Sequence, residues 1–125
     1  MIKRSKEKDI SVLLVDAIVK GILDKSGEEI VSLNLGKIDS TVCDFFVICH
    51  GNSRPHVEAI AEAVEDTVQK EEGIRPARRE GFLNGEWLLL DYQDVVVHIF
   101  QEPVRRYYQL EDLWADVPSY KFQEV

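Results

Sequence analysis

A glycine turn at Gly51-Asn52-Ser53, the carboxylates Asp91 and Asp94, the histidines His50, His56 and His98, and the cysteines Cys43 and Cys49 are the residues of this sequence that could do chemistry. A strand running through a glycine turn into a helix presents backbone N–H groups to an anion, and two carboxylates holding a metal beside it would make a nucleotidyl-transfer site. One glycine and one cap residue also make an ordinary turn. The residues after Ser53 read as helix, not as a strand bearing the required carboxylate pair, and Glu58, Glu62, Glu65 and Asp66 recur along it at the spacing of a solvated face. A nucleotide-binding or nucleotidyltransferase-type enzyme using Gly51 to Ser53 with Asp91 or Asp94 is therefore the second of two readings.

The other reactive side chains do not assemble locally. His50 ends a predicted strand, His56 falls in a first helical turn and His98 lies in a predicted hairpin, so no spacing unites them as metal ligands or as a base with its partner. Cys43 and Cys49 would sit roughly 20 Å apart on one extended run, too far to bridge. They read as buried free thiols, and no cofactor or metal is expected.

At 125 residues, 45% hydrophobic and 30% charged, the chain suits a single domain with a real core. The formal charge of −8 argues against binding built on nucleic-acid phosphates. From Glu80 onward nine acidic residues face only Arg105, Arg106 and Lys121, so the acidity concentrates where both tryptophans and all four tyrosines lie. Such a surface suits a basic protein partner. No apolar run approaches the ~20 residues that span a bilayer, and a cytoplasmic protein without membrane contact is expected.

The elements that must position these residues follow from periodicity. Residues 1–8 read as a charged tail; Asp9 or Ser11 caps a helix carrying Ile10, Leu13, Leu14, Ala17, Ile18 and Leu23, which ends near Gly27. Glu29 to Leu35 alternates as a half-buried strand, broken over residues 36–40. Asp44 to His50 is apolar on both faces and predicts a central strand. Ser53 caps a helix from Arg54 to about Glu72 with Val57, Ile60, Ala61, Val64 and Val68 inward, closed by Gly73. A short strand near Ala77 to Glu80 precedes the hairpin, and a helix over Glu102 to Trp114 follows it. The sum is an α/β domain over residues 9–114 with a single mixed sheet of about five strands; residues 115–125 read as an irregular tail.

The hairpin is the most informative piece. With Tyr92 and Gln93 as its turn, Trp87 faces His98, Leu88 faces Val97, Leu89 faces Val96, Leu90 faces Val95 and Asp91 faces Asp94. Leu88, Leu90, Val95, Val97 and Ile99 then share an aliphatic core face, and Trp87, Leu89, Asp91, Asp94, Val96, His98 and Phe100 share the other. That second face is either a docking surface for a partner or a second copy of the chain, or is covered by the terminal helix.

The runs TVCDFFVICHGNSRPHV (41–57), GEWLLLDYQDVVVHIF (85–100) and RRYYQLEDLW (105–114) closely resemble the ribosomal silencing factor, or Iojap, family over nearly the whole domain. The resemblance implies a nucleotidyltransferase-like fold without catalysis. It also implies a translation repressor that binds the large ribosomal subunit through ribosomal protein fourteen, blocks joining of the small subunit, assists subunit assembly, and touches rRNA to a limited extent at most. Trp87, Asp91 and His98 match the family's W-x-x-x-D and V-H elements. With Leu89, Tyr92, Asp94 and Phe100 they form the expected partner contact. Tyr92 and Gln93 stand where relatives often carry a leucine or phenylalanine and a glycine.

Overall fold

The computed structural model describes residues 2–36 and 43–122, with side chains from residue 10 onward. Its elements in chain order are α1 (Ile2–Asp24), β1 (Glu28–Asn34), β2 (Phe45–Gly51), α2 (Arg54–Glu72), β3 (Arg78–Glu80), β4 (Trp87–Asp91), β5 (Val95–Gln101), α3 (Glu102–Tyr108), α4 (Leu110–Leu113) and β6 (Ser119–Phe122). One mixed sheet orders the strands β3-β4-β5-β2-β1-β6. Only β2 and β5 run parallel; every other neighbour pair is antiparallel.

As its two apolar faces imply, β2 lies inside the sheet, with Val47, Ile48 and Cys49 fully buried. One face of the sheet is covered by α1 and α2, whose Leu14, Ile18, Ile22, Val57, Ile60 and Val64 pack with Leu88, Leu90, Val97 and Ile99. On the other face a smaller cluster gathers Leu33, Ile48 and Phe100 under Val104, Leu110, Trp114 and Val117. α2 begins and ends as its sequence dictates. The Ser53 hydroxyl accepts the N–H of His56 at 3.2 Å, and Gly73, at φ 68°, turns its N–H back to the Gln69 carbonyl.

Four expectations need correction. α1 starts at Ile2, within the supposed tail, so neither Asp9 nor Ser11 caps it; Ser11 is buried and donates instead to Asp44 at 3.2 Å. Its inward face is Leu14, Val15, Ala17, Ile18, Val19 and Ile22, leaving Ile10, Leu13 and Leu23 exposed. β1 is buried on both faces from Ile30 to Leu33, because β6 closes its outer side and makes it an interior strand. β6 itself comes from the supposed irregular tail and brings the expected sheet of about five strands to six. Finally, Gln109 at φ 48° divides the expected last helix into α3 and α4. From Lys37 on, the expected break after β1 lies outside the described residues.

Candidate functional site

The β4–β5 hairpin divides the sheet's two faces as alternation requires, but in a different register. Trp87 pairs with Phe100, Leu88 with Ile99, Leu89 with His98, Leu90 with Val97 and Asp91 with Val96, two residues along from the expected pairing. A shift of two preserves side-chain faces. It also separates the two acids, so Asp91 and Asp94 do not oppose each other. The turn tightens around Asp91, whose carboxylate accepts the N–H of Gln93 at 2.8 Å while Gln93 takes φ 74°.

Leu88, Leu90, Val95, Val97 and Ile99 are fully buried under the helices. On the opposite face Trp87, Leu89, Asp91 and Val96 are partly exposed, and Asp94 is exposed at the turn. Two expected contact residues are inaccessible there. Phe100 is fully buried, stacked on Trp87 at 4.7 Å, and His98 is 5% exposed beneath Phe46 and Trp87. Tyr92 is also buried, but in the helix-side core, where burial raises its phenol pKa. Alternation gives the reason: Tyr92 follows Leu88 and Leu90 at two-residue steps and so falls on the aliphatic side.

The indole N–H of Trp87 donates to Nδ1 of His98 at 3.1 Å, and burial pushes the imidazole pKa down to about 4, so the ring is neutral near pH 7. Phe46 stands edge-on to His98 at 4.6 Å and to Trp114 at 5.9 Å, and Tyr108 lies 5.0 Å from Trp87. The terminal segment therefore covers part of the aromatic face and leaves Trp87 and Leu89 at its margin. Phe46 was not anticipated as a neighbour of His98; pairing the two apolar runs in parallel would have brought them together.

An acidic rim lies at the hairpin-turn end of the sheet, four residues and roughly 13 Å along β4 from Trp87. The carbonyl of Asp94 accepts the N–H groups of Asp44 and Phe45, bringing Asp44 to the same end of the sheet as Asp91 and Asp94. Cys43 registers all three. Its thiol is pushed up to about 11, first by burial and then by the charges of Asp44, Asp91 and Asp94. Arg78 approaches Asp91 to 3.6 Å from the edge strand.

The glycine turn lies at the opposite end. Along the parallel pair Phe45 matches Val95 and Gly51 matches Gln101, six steps and roughly 20 Å away. Gly51 to Ser53 therefore cannot share a reacting centre with Asp91 or Asp94. The turn's groups are also engaged internally. Asn52 donates its N–H to Nδ1 of His56, His56 Nε2 bonds the Lys25 carbonyl at 2.7 Å, and the Asn52 amide reaches Glu28. Next to it Arg105, 2% exposed, binds Glu111 at 2.7 Å and His50 at 2.9 Å. The pairing of Arg106 with Glu102 follows from their four-residue helical spacing; Arg105 meets Glu111 across the break at Gln109, and neither that pairing nor the burial of Arg105 follows from spacing. Among the described residues no three of His, Cys, Asp and Glu are grouped to hold a metal ion, and no helix is long and apolar enough to cross a membrane.

Comparison with known proteins matches residues 7–125 to the family model described as ribosomal silencing factor during starvation. The chain is 44% identical to the ribosomal silencing factor of Halalkalibacterium halodurans over 112 residues, 90% of this chain and 94% of that one. It is 47% identical to that of Bacillus subtilis over 95 residues, 76% of this chain and 79% of that one. A crystal structure from Bacillus halodurans superposes with a TM-score of 0.74 at 41% identity, covering 87% of this chain and 97% of that one. One from Chromobacterium violaceum gives 0.72 at 34%, covering 86% and 85%. With the family model covering nearly the whole length and relatives this similar, the chain belongs to the ribosomal silencing factor family.

Proposed function

We propose that this silencing factor docks on the large ribosomal subunit through the margin formed by Trp87, Leu89 and Val96, with Asp91, Asp94 and Asp44 as its acidic rim. The partner surface is a basic protein, ribosomal protein fourteen. Once docked, the domain occupies space the small subunit needs for joining, and translation falls without any chemical step. Contact with rRNA is limited, since the net charge of −8 repels phosphates. The observation that carries this reading is the partly exposed Trp87 on the same hairpin face as Leu89 and Asp91, with the hairpin's other face fully buried. An aromatic anchor on a face that ends in a charged rim has the composition of a protein-binding hot spot.

The test is sedimentation of purified large subunits with the protein, followed by small subunits. Co-sedimentation and a block of joining are expected. Normal joining at saturation overturns the mechanism, and unchanged binding by a folded Trp87→Ala variant overturns the location.

A further inference from the structure

His98 has one nitrogen with nothing to bond. Its Nδ1 receives the indole N–H of Trp87, and because an indole nitrogen only donates, Nδ1 must be the bare nitrogen of the neutral ring. The proton therefore sits on Nε2. That atom is shut off from solvent and has no hydrogen-bond partner among the described residues. A neutral N–H buried among Phe46, Trp87 and Phe100 without an acceptor is a standing cost to the free protein.

We propose that Nε2–H of His98 is a latent donor of the docking face, satisfied in the complex by a main-chain carbonyl of the ribosomal protein, with Trp87 holding the ring in the donating tautomer. This rests on the docking reading above and adds to it a directional contact beneath the exposed margin. A carbonyl fits better than a carboxylate because a chain with a net charge of −8, with Asp91 and Asp94 at the turn end of the same hairpin, repels an approaching anion. The cover over His98 consists of side chains. Phe46 stands edge-on to the imidazole and leans on Trp114, which follows the four-residue α4, none of whose residues is buried. Rotating these rings aside admits an acceptor without breaking the β2–β5 or β4–β5 ladders. The other orphaned group, the Tyr92 hydroxyl, belongs to the helix-side core and takes no part.

The two partners of the relay give distinct tests. His98→Phe fills the space and removes the donor; it is expected to melt no lower than wild type yet bind purified large ribosomal subunits about tenfold more weakly, the equivalent of ~1.4 kcal/mol. His98→Gln returns an N–H donor and should regain most of that loss. Binding by His98→Phe within twofold of wild type, or a His98→Gln variant as weak as His98→Phe, overturns the proposal. If His98→Phe fails to fold, nitrogen-15 histidine spectra of the wild type decide: the Nε2 proton should move downfield when purified ribosomal protein fourteen is added, and an unmoved proton overturns the inference. Failure of the wild type itself to co-sediment defeats the docking reading, whereas wild-type binding with an indifferent His98 defeats only this inference.

Discussion

Nη1 of Arg105 lies 2.9 Å from Nδ1 of His50, and both side chains are all but fully buried, at 2% and 1% exposure. The same guanidinium binds Glu111 through Nε and Nη2 and reaches the Glu28 carbonyl at 3.4 Å, so one cation ties α3, α4, β1 and β2 together. Arg105→Met leaves Glu111 and His50 without their donor. The expected loss is about 3 kcal/mol in urea unfolding, the low end for a broken buried pair because Glu111 keeps some access to water. A loss below about 1 kcal/mol would show that packing alone holds the terminal segment.

Both buried imidazoles make stability depend on pH in the same direction. Burial lowers the pKa of His98 to about 4, and burial with the nearby Arg105 charge lowers that of His50. Folding thus favours the neutral rings. Their contribution is complete above the unfolded histidine value near 6.5 and is lost as pH falls through the lower folded values. For His98 the loss is on the order of 3 kcal/mol between pH 6.5 and 4, measurable by urea titration. His98→Phe should flatten that slope, and an unchanged slope would assign it to other groups. The Arg106-paired Glu29, with its pKa lowered from 4.5, adds its loss only at more acid pH.

Sequence alternation found the division of the hairpin into faces because that division depends only on parity, and the true register differs by two. Parity could not settle which residues reach solvent. Phe100 and His98 share a face with Trp87, yet they disappear beneath Phe46 and the segment ending at Trp114, contacts between positions far apart in the chain. β6 was missed because Ser119 to Phe122 has little apolar character of its own and becomes a strand by pairing with β1. The burial of Arg105 leaves no mark in the sequence; it makes sense only once His50 and Glu111 surround it.

The turn that set the register carries a removable strain. Gln93 adopts φ 74° with no glycine to relieve it. Gln93→Gly should stabilise the protein by about 1 kcal/mol without altering subunit binding, because the left-handed conformation costs a side chain that glycine lacks. An unchanged midpoint in chemical denaturation would mean that the Asp91 carboxylate on the Gln93 N–H already offsets the strain.

Gly21 is where α1 and α2 meet backbone to backbone. A Cβ at this position would fall 2.7 Å from the Val64 Cα and 2.9 Å from the Ala63 carbonyl oxygen. Gly21→Ala must push the helices apart, at an expected cost of about 1–3 kcal/mol despite alanine's better helix propensity. A thermal melt at or above that of wild type would show that the helix pair shifts freely over the sheet.

Charge at the rim should govern how fast the partner is met more than how firmly it is held. Asp94 is exposed at the hairpin turn, at the end of the sheet where Asp44 and Asp91 gather, so its field adds to theirs at one end of the docking face. Rim charges steer encounter with an oppositely charged surface, and this steering fades with salt, whereas a buried aromatic anchor acts mainly on dissociation. Asp94→Lys is therefore expected to slow association with large subunits about tenfold at low salt and to flatten its salt dependence, with dissociation and melting temperature little changed. Trp87→Ala should do the reverse, speeding dissociation while keeping the wild-type salt dependence. Stopped-flow or surface-based kinetics at two ionic strengths separates the two. If both variants changed only dissociation, the carboxylates would be direct contacts in the interface and the partner surface facing them would need no excess of positive charge.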